Sequence, residues 1–408
     1  MNLLKQDIPR DVQGRSNRGE SISFMEPLSI SADSRFRRLL NDLAMELAVK
    51  STGFCHGVPQ QLISAVATLV RGMNCYYSNL IEGHDTHPVD IERALKNDYS
   101  SNIQKRNLQL EARAHIKVQT WIDEGGLAGQ AVTIVNLVEI HRRFCSFLPE
   151  DLLWAEDIEN KKRICIIPGV FRDRDVKVGR HVPVSPGVIP LFMEKFEKAY
   201  AYLGKAEMII SAAAAHHRLL WIHPFLDGNG RVARLMSHAI LLESLNTGGL
   251  WSIARGLARN EQTYKELLIN CDQKRRNDLD GRGNLSEEAL AEFTRFFLEI
   301  SIDQVAFMDN LMQPDQLKER IISWAQREIH NSKLLYKSER LLEAVLYNGG
   351  SLPRKDTANV LDVGTRHARR IVAALITSGA LISASSRAPL CLNFPAHLAG
   401  EWMPGLFP

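Results

Sequence analysis

Apolar residues return at intervals of three and four along most of this 408-residue chain, beginning near Phe36. Positions so spaced share one face of an α-helix, and that confines most of the chain to helices packed through apolar stripes. The period predicts helices over 35–49, 58–82, 107–123, 133–147, 206–222, 229–246, 260–272 and 286–311. Before residue 312 only 163–167 and 176–184 read as β-prone, which predicts one small hairpin between 168 and 188. The expected fold class is mainly α. Apolar residues make up 45% of the sequence, enough for a core of ordinary size.

The texture of the chain divides it into five parts. Residues 1–33 are polar and aperiodic and read as a flexible arm; 34–130 form an N-terminal helical region and 131–312 a core. Gln313-Pro314-Asp315 breaks the pattern, and 313–334 is expected to be a connecting helix. In 335–408 the order is helix 338–347, Gly349-Gly350 turn, short helix 355–361, Gly364 turn, helix 365–378, and β-prone runs at 380–384 and 390–394. That is the order of a winged helix-turn-helix, followed by a tail of about a dozen residues. Its third helix carries Arg366, Arg369 and Arg370, Arg387 falls at the expected wing tip, and no Asp or Glu occurs between Val363 and Gly400. Contact with DNA phosphates is one use of such a surface; protein contact, including a homodimer, is another.

A net charge of +3 gives no global bias toward nucleic acid or membrane, and no run approaches the roughly 20 apolar residues of a membrane span. The amino terminus lacks the apolar core of a secretory signal, and the six cysteines form no Cys-x-x-Cys pair. A cytoplasmic, reduced protein is expected.

The segment His223-Pro-Phe225-Leu-Asp227-Gly228-Asn229-Gly230-Arg231 carries the chemistry. A glycine-rich turn that opens a helix presents backbone N–H groups and the positive end of the helix dipole, a ready anion site. Arg231 and Arg234 lie three apart on the first turns and can reach bound phosphates. Asp227 beside the anion hole suits Mg²⁺, and His223 can take a proton near neutral pH.

His223 to Arg234, HPFLDGNGRVAR, resembles the full signature of the Fic (filamentation-induced-by-cAMP) family. The resemblance extends back over 206–221 and to 169–179, which is similar to the family's target-positioning flap. It implies a Fic-type helical core that moves AMP from ATP to a Ser, Thr or Tyr hydroxyl of a target protein. His223 would be the general base and Asp227 the Mg²⁺ ligand, with Phe225 part of the signature. Gly228, Asn229 and Gly230 would hold the α-phosphate, with Arg231 and Arg234 on the other phosphates. Val176, Lys177, Val178 and Gly179 would line the nucleotide and clamp the target, with Tyr264 and Asp272 as further nucleotide contacts. Glycine at 230, where phosphorylating relatives carry lysine, favours AMP transfer. Ser78, Glu82 and Gly83 are similar to the family's inhibitory pattern, in which the glutamate competes for Arg234. Two alternatives stand beside this: a DNA-binding regulator that senses ATP, and removal of AMP or transfer of another phosphate group.

Overall fold

The computed structural model describes residues 16–156 and 162–408. The helices in chain order are α1 (Arg37–Gly57), α2 (Gln60–Ile81), α3 (Pro88–Leu95), α4 (Ile103–Asp123), α5 (Ile134–Ser146), α6 (Ile189–Tyr200), α7 (Lys205–Ile222) and α8 (Asn229–Leu245). They continue as α9 (Ala254–Arg259), α10 (Glu261–Asn270), α11 (Glu287–Met312), α12 (Pro314–His330), α13 (Ser338–Tyr347), α14 (Thr357–Leu361), α15 (Thr365–Thr377) and α16 (Ala396–Trp402). Among the described residues five short strands accompany them: β1 (Trp154–Glu156), β2 (Arg163–Cys165), β3 (Ser351–Leu352), β4 (Leu381–Ile382) and β5 (Leu390–Leu392). The mainly α expectation holds. No described helix is long and apolar enough to cross a membrane.

The chain gathers into two compact units, each assembled from separated stretches. The first takes residues up to Glu46, Lys117–Leu245 and Leu257–Ile300; the second takes Leu47–Ile116, Asn246–Gly256 and Ser301–Pro408.

The first unit is built around α7. Every residue from Ile209 to Leu219 is buried, so this helix has no solvent face along that length. The run Ala212–Ala215 makes that feasible, because small side chains let α6 and α8 pack closely on it. Phe192 and Phe196 of α6 and Phe293 and Phe297 of α11 fill the surrounding space. The flexible arm is corrected for residues 16–33, which are tied to this unit, while residues 1–15 lie outside the described residues. Met25 is fully buried, and the Pro27 carbonyl accepts two bonds from the buried Arg218 guanidinium at 3.1 and 2.8 Å. Burial alone would raise the Glu20 carboxyl, but hydrogen bonds from Ser185 and Arg18 outweigh it and hold the group down at about 2.

The small sheet also sits earlier than expected. β1 and β2 pair antiparallel with Trp154 opposite Cys165, whereas 176–184 holds a single bridge, Val178 with His181. Valines alternate there, but Pro183 and the left-handed Gly179 limit the ladder to a tight turn.

In the second unit α2 ends in a glycine cap. Gly83 is left-handed at φ +82°, its N–H donates to the Leu80 carbonyl, and the His84 N–H donates to Asn79. Ser78 is buried and Glu82, at the C-cap, is exposed. The residues after 334 fold as α13, β3, α14, α15, β4 and β5, with an antiparallel sheet in the order β3-β5-β4. Leu341, Leu361, Ile371, Leu375, Leu381 and Leu390 are its fully buried core. The expected tail is corrected: α16 follows, Trp402 packs edge-on against Trp324 of α12 at 5.2 Å, and Leu406 is fully buried.

Candidate active site

The site lies in the first unit, where α7 ends and α8 begins. His223 caps α7 in the left-handed conformation (φ 51°, ψ 60°). A non-glycine residue there costs about 1–2 kcal/mol, so the surroundings must impose it. Arg172 does much of this. Buried among carbonyls, it donates from Nε to the His223 carbonyl at 2.8 Å and from Nη1 to Arg174 at 2.8 Å. Its Nη2 reaches the carbonyls of Val184 and Ile222, and its own N–H donates to Pro224 at 2.9 Å. One guanidinium therefore joins both ends of the 174–184 loop to the turn that carries the histidine. Burial lowers its affinity for the proton to about 10, still high enough to keep it charged near neutral pH.

The imidazole of His223 is oriented by its own helix. Nδ1 lies 3.3 Å from the Leu220 carbonyl, which can only accept, so in the neutral ring Nδ1 carries the hydrogen and Nε2 the lone pair.

The loop between the two helices is held by Asn229. Its Oδ1 accepts from the Phe225 N–H at 2.9 Å and its Nδ2 donates to the Phe225 carbonyl at 2.8 Å. The side chain is buried and committed at both ends, so Asn229 shapes the loop. Gly228 is left-handed at φ +81°, and the first bond of α8 runs from the Val232 N–H to the Gly228 carbonyl at 3.0 Å. The amides of residues 229–231 precede that bond and form the anion site expected of a helix start. Phe225 is fully buried and stacks on His141 of α5 at 4.0 Å with the rings 5° apart. The Gly169 N–H donates to His141 Nδ1 at 2.9 Å, and burial lowers that imidazole to about 4, so it is neutral packing for the loop. Neither His141 nor Arg172 carries a local signal in the sequence of its long-range partners.

Arg231 and Arg234 are buried within α8, and Arg231 Nη2 lies 3.5 Å from Asp227 Oδ2 and above the Phe144 ring. Asp227 leaves 55% of its side chain exposed. No three described His, Cys, Asp or Glu side chains converge as a metal cage. A lone exposed carboxylate suits an ion that completes its shell with phosphate oxygens and water.

Two cavities meet at His223, with Val178 and Val182 of the loop lining both. The first, about 750 Å³, is mainly apolar and is walled by Gly179, Leu220, Trp221, Leu268 and Ile269. Asp272 also faces it, fixed by His217 Nε2 at 3.1 Å and by His181 Nδ1 at 3.4 Å. The second, about 760 Å³, is bordered by β1, β2, Val176, Lys177 and Leu226. Of the expected nucleotide contacts, Asp272 and residues 176–179 thus line these cavities. Tyr264 does not: it is buried, and its hydroxyl donates to His216 Nε2 at 2.7 Å inside the core. Its aromatic body and polar hydroxyl are packed in the core there, away from the two cavities.

Residues 131–241 match the model of the Fic/DOC family. A protein adenylyltransferase Fic of Drosophila erecta is 34% identical over 115 residues, and its counterpart in Drosophila ananassae is 36% identical over 115 residues. Each match covers 28% of this chain and 20% of the relative, so the chain matches only about a fifth of those curated relatives' length. A Fic family protein from Desulfovibrio desulfuricans G20 superposes with a TM-score of 0.52 at 14% identity, covering 90% of this chain and 98% of that one. Fic-1 (residues 134–508) from C. elegans gives 0.52 at 18% identity over 68% of this chain and 73% of its own. The match to the Fic/DOC model is confined to residues 131–241, and the fold resembles that of Fic family proteins of known structure.

Proposed function

We propose that this Fic domain is a protein adenylyltransferase, moving AMP from ATP to a hydroxyl of a protein. The observation that carries the reading is the convergence on His223 of an anion-binding helix start, two buried arginines and two cavities of different character. The apolar cavity suits the nucleoside, while the groove along 176–178 suits an extended target chain that adds as a strand beside the loop. His223 Nε2 takes the hydroxyl proton as oxygen attacks the α-phosphorus, and pyrophosphate leaves. The first amides of α8 hold the α-phosphate as its charge grows, and Arg231 and Arg234 hold the remaining phosphates. Mg²⁺, held by Asp227 together with phosphate oxygens and water, would neutralise charge on the pyrophosphate.

The brake reading rests on Ser78 and Glu82, one turn apart at the end of α2, with the carboxylate exposed at the helix C-cap. A carboxylate that engages Arg234 removes a partner that the γ-phosphate needs. For the C-terminal residues we infer a winged helix, on the order of α13–β3–α14–α15–β4–β5 and the exposed Arg366, Arg369, Arg370 and Arg387. That surface fits an anionic partner such as DNA, and a cytoplasmic setting fits the free cysteines.

The test is mass spectrometry of the full chain with ATP and Mg²⁺. Glu82→Gly is expected to raise AMP incorporation, and His223→Ala in that background to abolish it while ATP still binds. Unmodified protein in every variant overturns the transfer reading, and an unchanged rate in Glu82→Gly overturns the brake.

A further inference from the structure

The second cavity at His223 already holds a hydroxyl of this chain. Ser16 lines it together with His223, Val176 and Val178, and no other Ser, Thr or Tyr is among its described lining residues. Ser16 is exposed, and its Oγ donates to Asp175 Oδ2 at 2.9 Å, next to the loop that borders the cavity. A single surface hydrogen bond of this kind is exchanged for water at a net cost of about 1 kcal/mol, so the hydroxyl is readily released.

The strand of chain that carries Ser16 is fixed on the far side. The Ser16 carbonyl accepts from the Gly187 N–H at 2.9 Å. Arg18 donates to the Pro183 carbonyl at 2.7 Å and to Ser185 Oγ at 3.2 Å, and Glu20 accepts from the Ser185 N–H at 2.8 Å. Residues 16–20 are thereby anchored along 183–187, which holds Ser16 at the cavity rather than leaving it on a free arm. An acceptor tethered on the wall of the cavity that His223 also lines needs no encounter, and proximity of this kind raises rates by orders of magnitude.

We propose that Ser16 is a modification site: the chain's own acceptor for the group that this site transfers. The inference rests on the adenylyl-transfer reading. His223 Nε2 takes the proton of Ser16, Oγ bonds to the α-phosphorus of ATP, the bond from that phosphorus to the oxygen leading to the β-phosphate breaks, and pyrophosphate departs. No oxidation or reduction is involved. The product carries a phosphodiester between Ser16 and adenosine, in the groove that a target would otherwise fill.

The experiment is peptide mapping of the full chain, wild type and Glu82→Gly, after incubation with ATP and Mg²⁺. A protease other than trypsin is needed, because Arg15 and Arg18 flank Ser16. The AMP adduct is expected on Ser16. Ser16→Ala should lower self-incorporation by roughly tenfold or more, and Ser16→Thr should restore it, as expected for a tethered acceptor. Ser16 lies on the surface, so neither variant threatens the fold. An adduct elsewhere with Ser16 bare, or Ser16→Ala labelled like wild type, overturns this inference and leaves the transfer reading standing. No adduct on any residue in either background overturns the transfer reading and this inference with it.

Discussion

Asn229 illustrates how a signature residue acts through the loop it sits in. Its amide answers both backbone groups of the fully buried Phe225, one as acceptor and one as donor. Asn229→Ala leaves a buried N–H and a buried carbonyl without those partners, a loss of about 2–6 kcal/mol at about 1–3 per group. Asn229→Asp keeps the first bond but turns an oxygen toward the Phe225 carbonyl. Thermal denaturation should therefore rank Asp below Ala and both below wild type; an Asp variant as stable as wild type would remove the loop-locking role. Histidines set the pH response at the same scale. Burial lowers His141 and His217 to about 4 and His216 to about 3, all from 6.5. The folded state binds these protons later than the unfolded chain does. The contribution is intact above 6.5 and is lost as pH falls toward about 4 and 3, at about 1.4 kcal/mol per pH unit for each histidine. The denaturant midpoint should drop steeply below pH 6.5, and a flat profile down to about 4 would contradict it.

The elements were legible where they are long and periodic, and obscure where they depend on distant partners. α7 and α8 lie almost where the apolar period puts them. α3 is only the eight residues Pro88–Leu95, and α6 is preceded by Pro186 and carries Pro190 in its first turn, so proline punctuation obscures the helical period in both. The 176–184 loop has the alternation of a strand and lacks a partner beyond one bridge, because strand pairing is settled by neighbours rather than by local sequence. The segment His223–Arg231 was readable since its residues are contiguous. Arg172 and His141, which hold it, were not, since they act on carbonyls and rings far along the chain. α15 yields the prediction proper to this scale. Arg366, Arg369 and Arg370 are exposed while Ala368, Ile371 and Val372 are buried, so the basic face is separate from the packed one. If it meets DNA phosphates, replacing each arginine by alanine should lower the salt dependence of binding by about one unit of slope with little loss of stability. Gel shifts of the full chain across a salt series measure it, and no binding at low salt would leave protein contact as the use of this face.

At the scale of the whole molecule the sequence is read in five consecutive blocks, but the compact units are interleaved. The second unit shows the reason. α2 and the turn before β3 lie nearly three hundred residues apart, yet a Cβ placed on Gly350 would stand 2.1 Å from Leu62 Cδ2. Gly350 is also left-handed at φ +97°, so glycine is required both by backbone and by neighbour. Gly350→Ala should destabilise the second unit by about 2–5 kcal/mol, the sum of a strained φ and an overpacked contact. Leu62→Ala removes the atom that the new methyl would strike, at its own cost of about 2–5 kcal/mol for a cavity. The two losses should then fall short of additive in the double variant by about 1–3 kcal/mol, the part due to the clash, while the φ cost remains. Denaturation of the four proteins closes the cycle, and strict additivity would deny that α2 is seated on this turn. The same helix carries Ser78, with Glu82 at its C-cap. On the brake reading, loosening α2 through Gly350→Ala should therefore raise AMP incorporation in the wild-type background and add nothing in Glu82→Gly. A rise in both backgrounds would mean that the turn influences transfer by some route other than the glutamate.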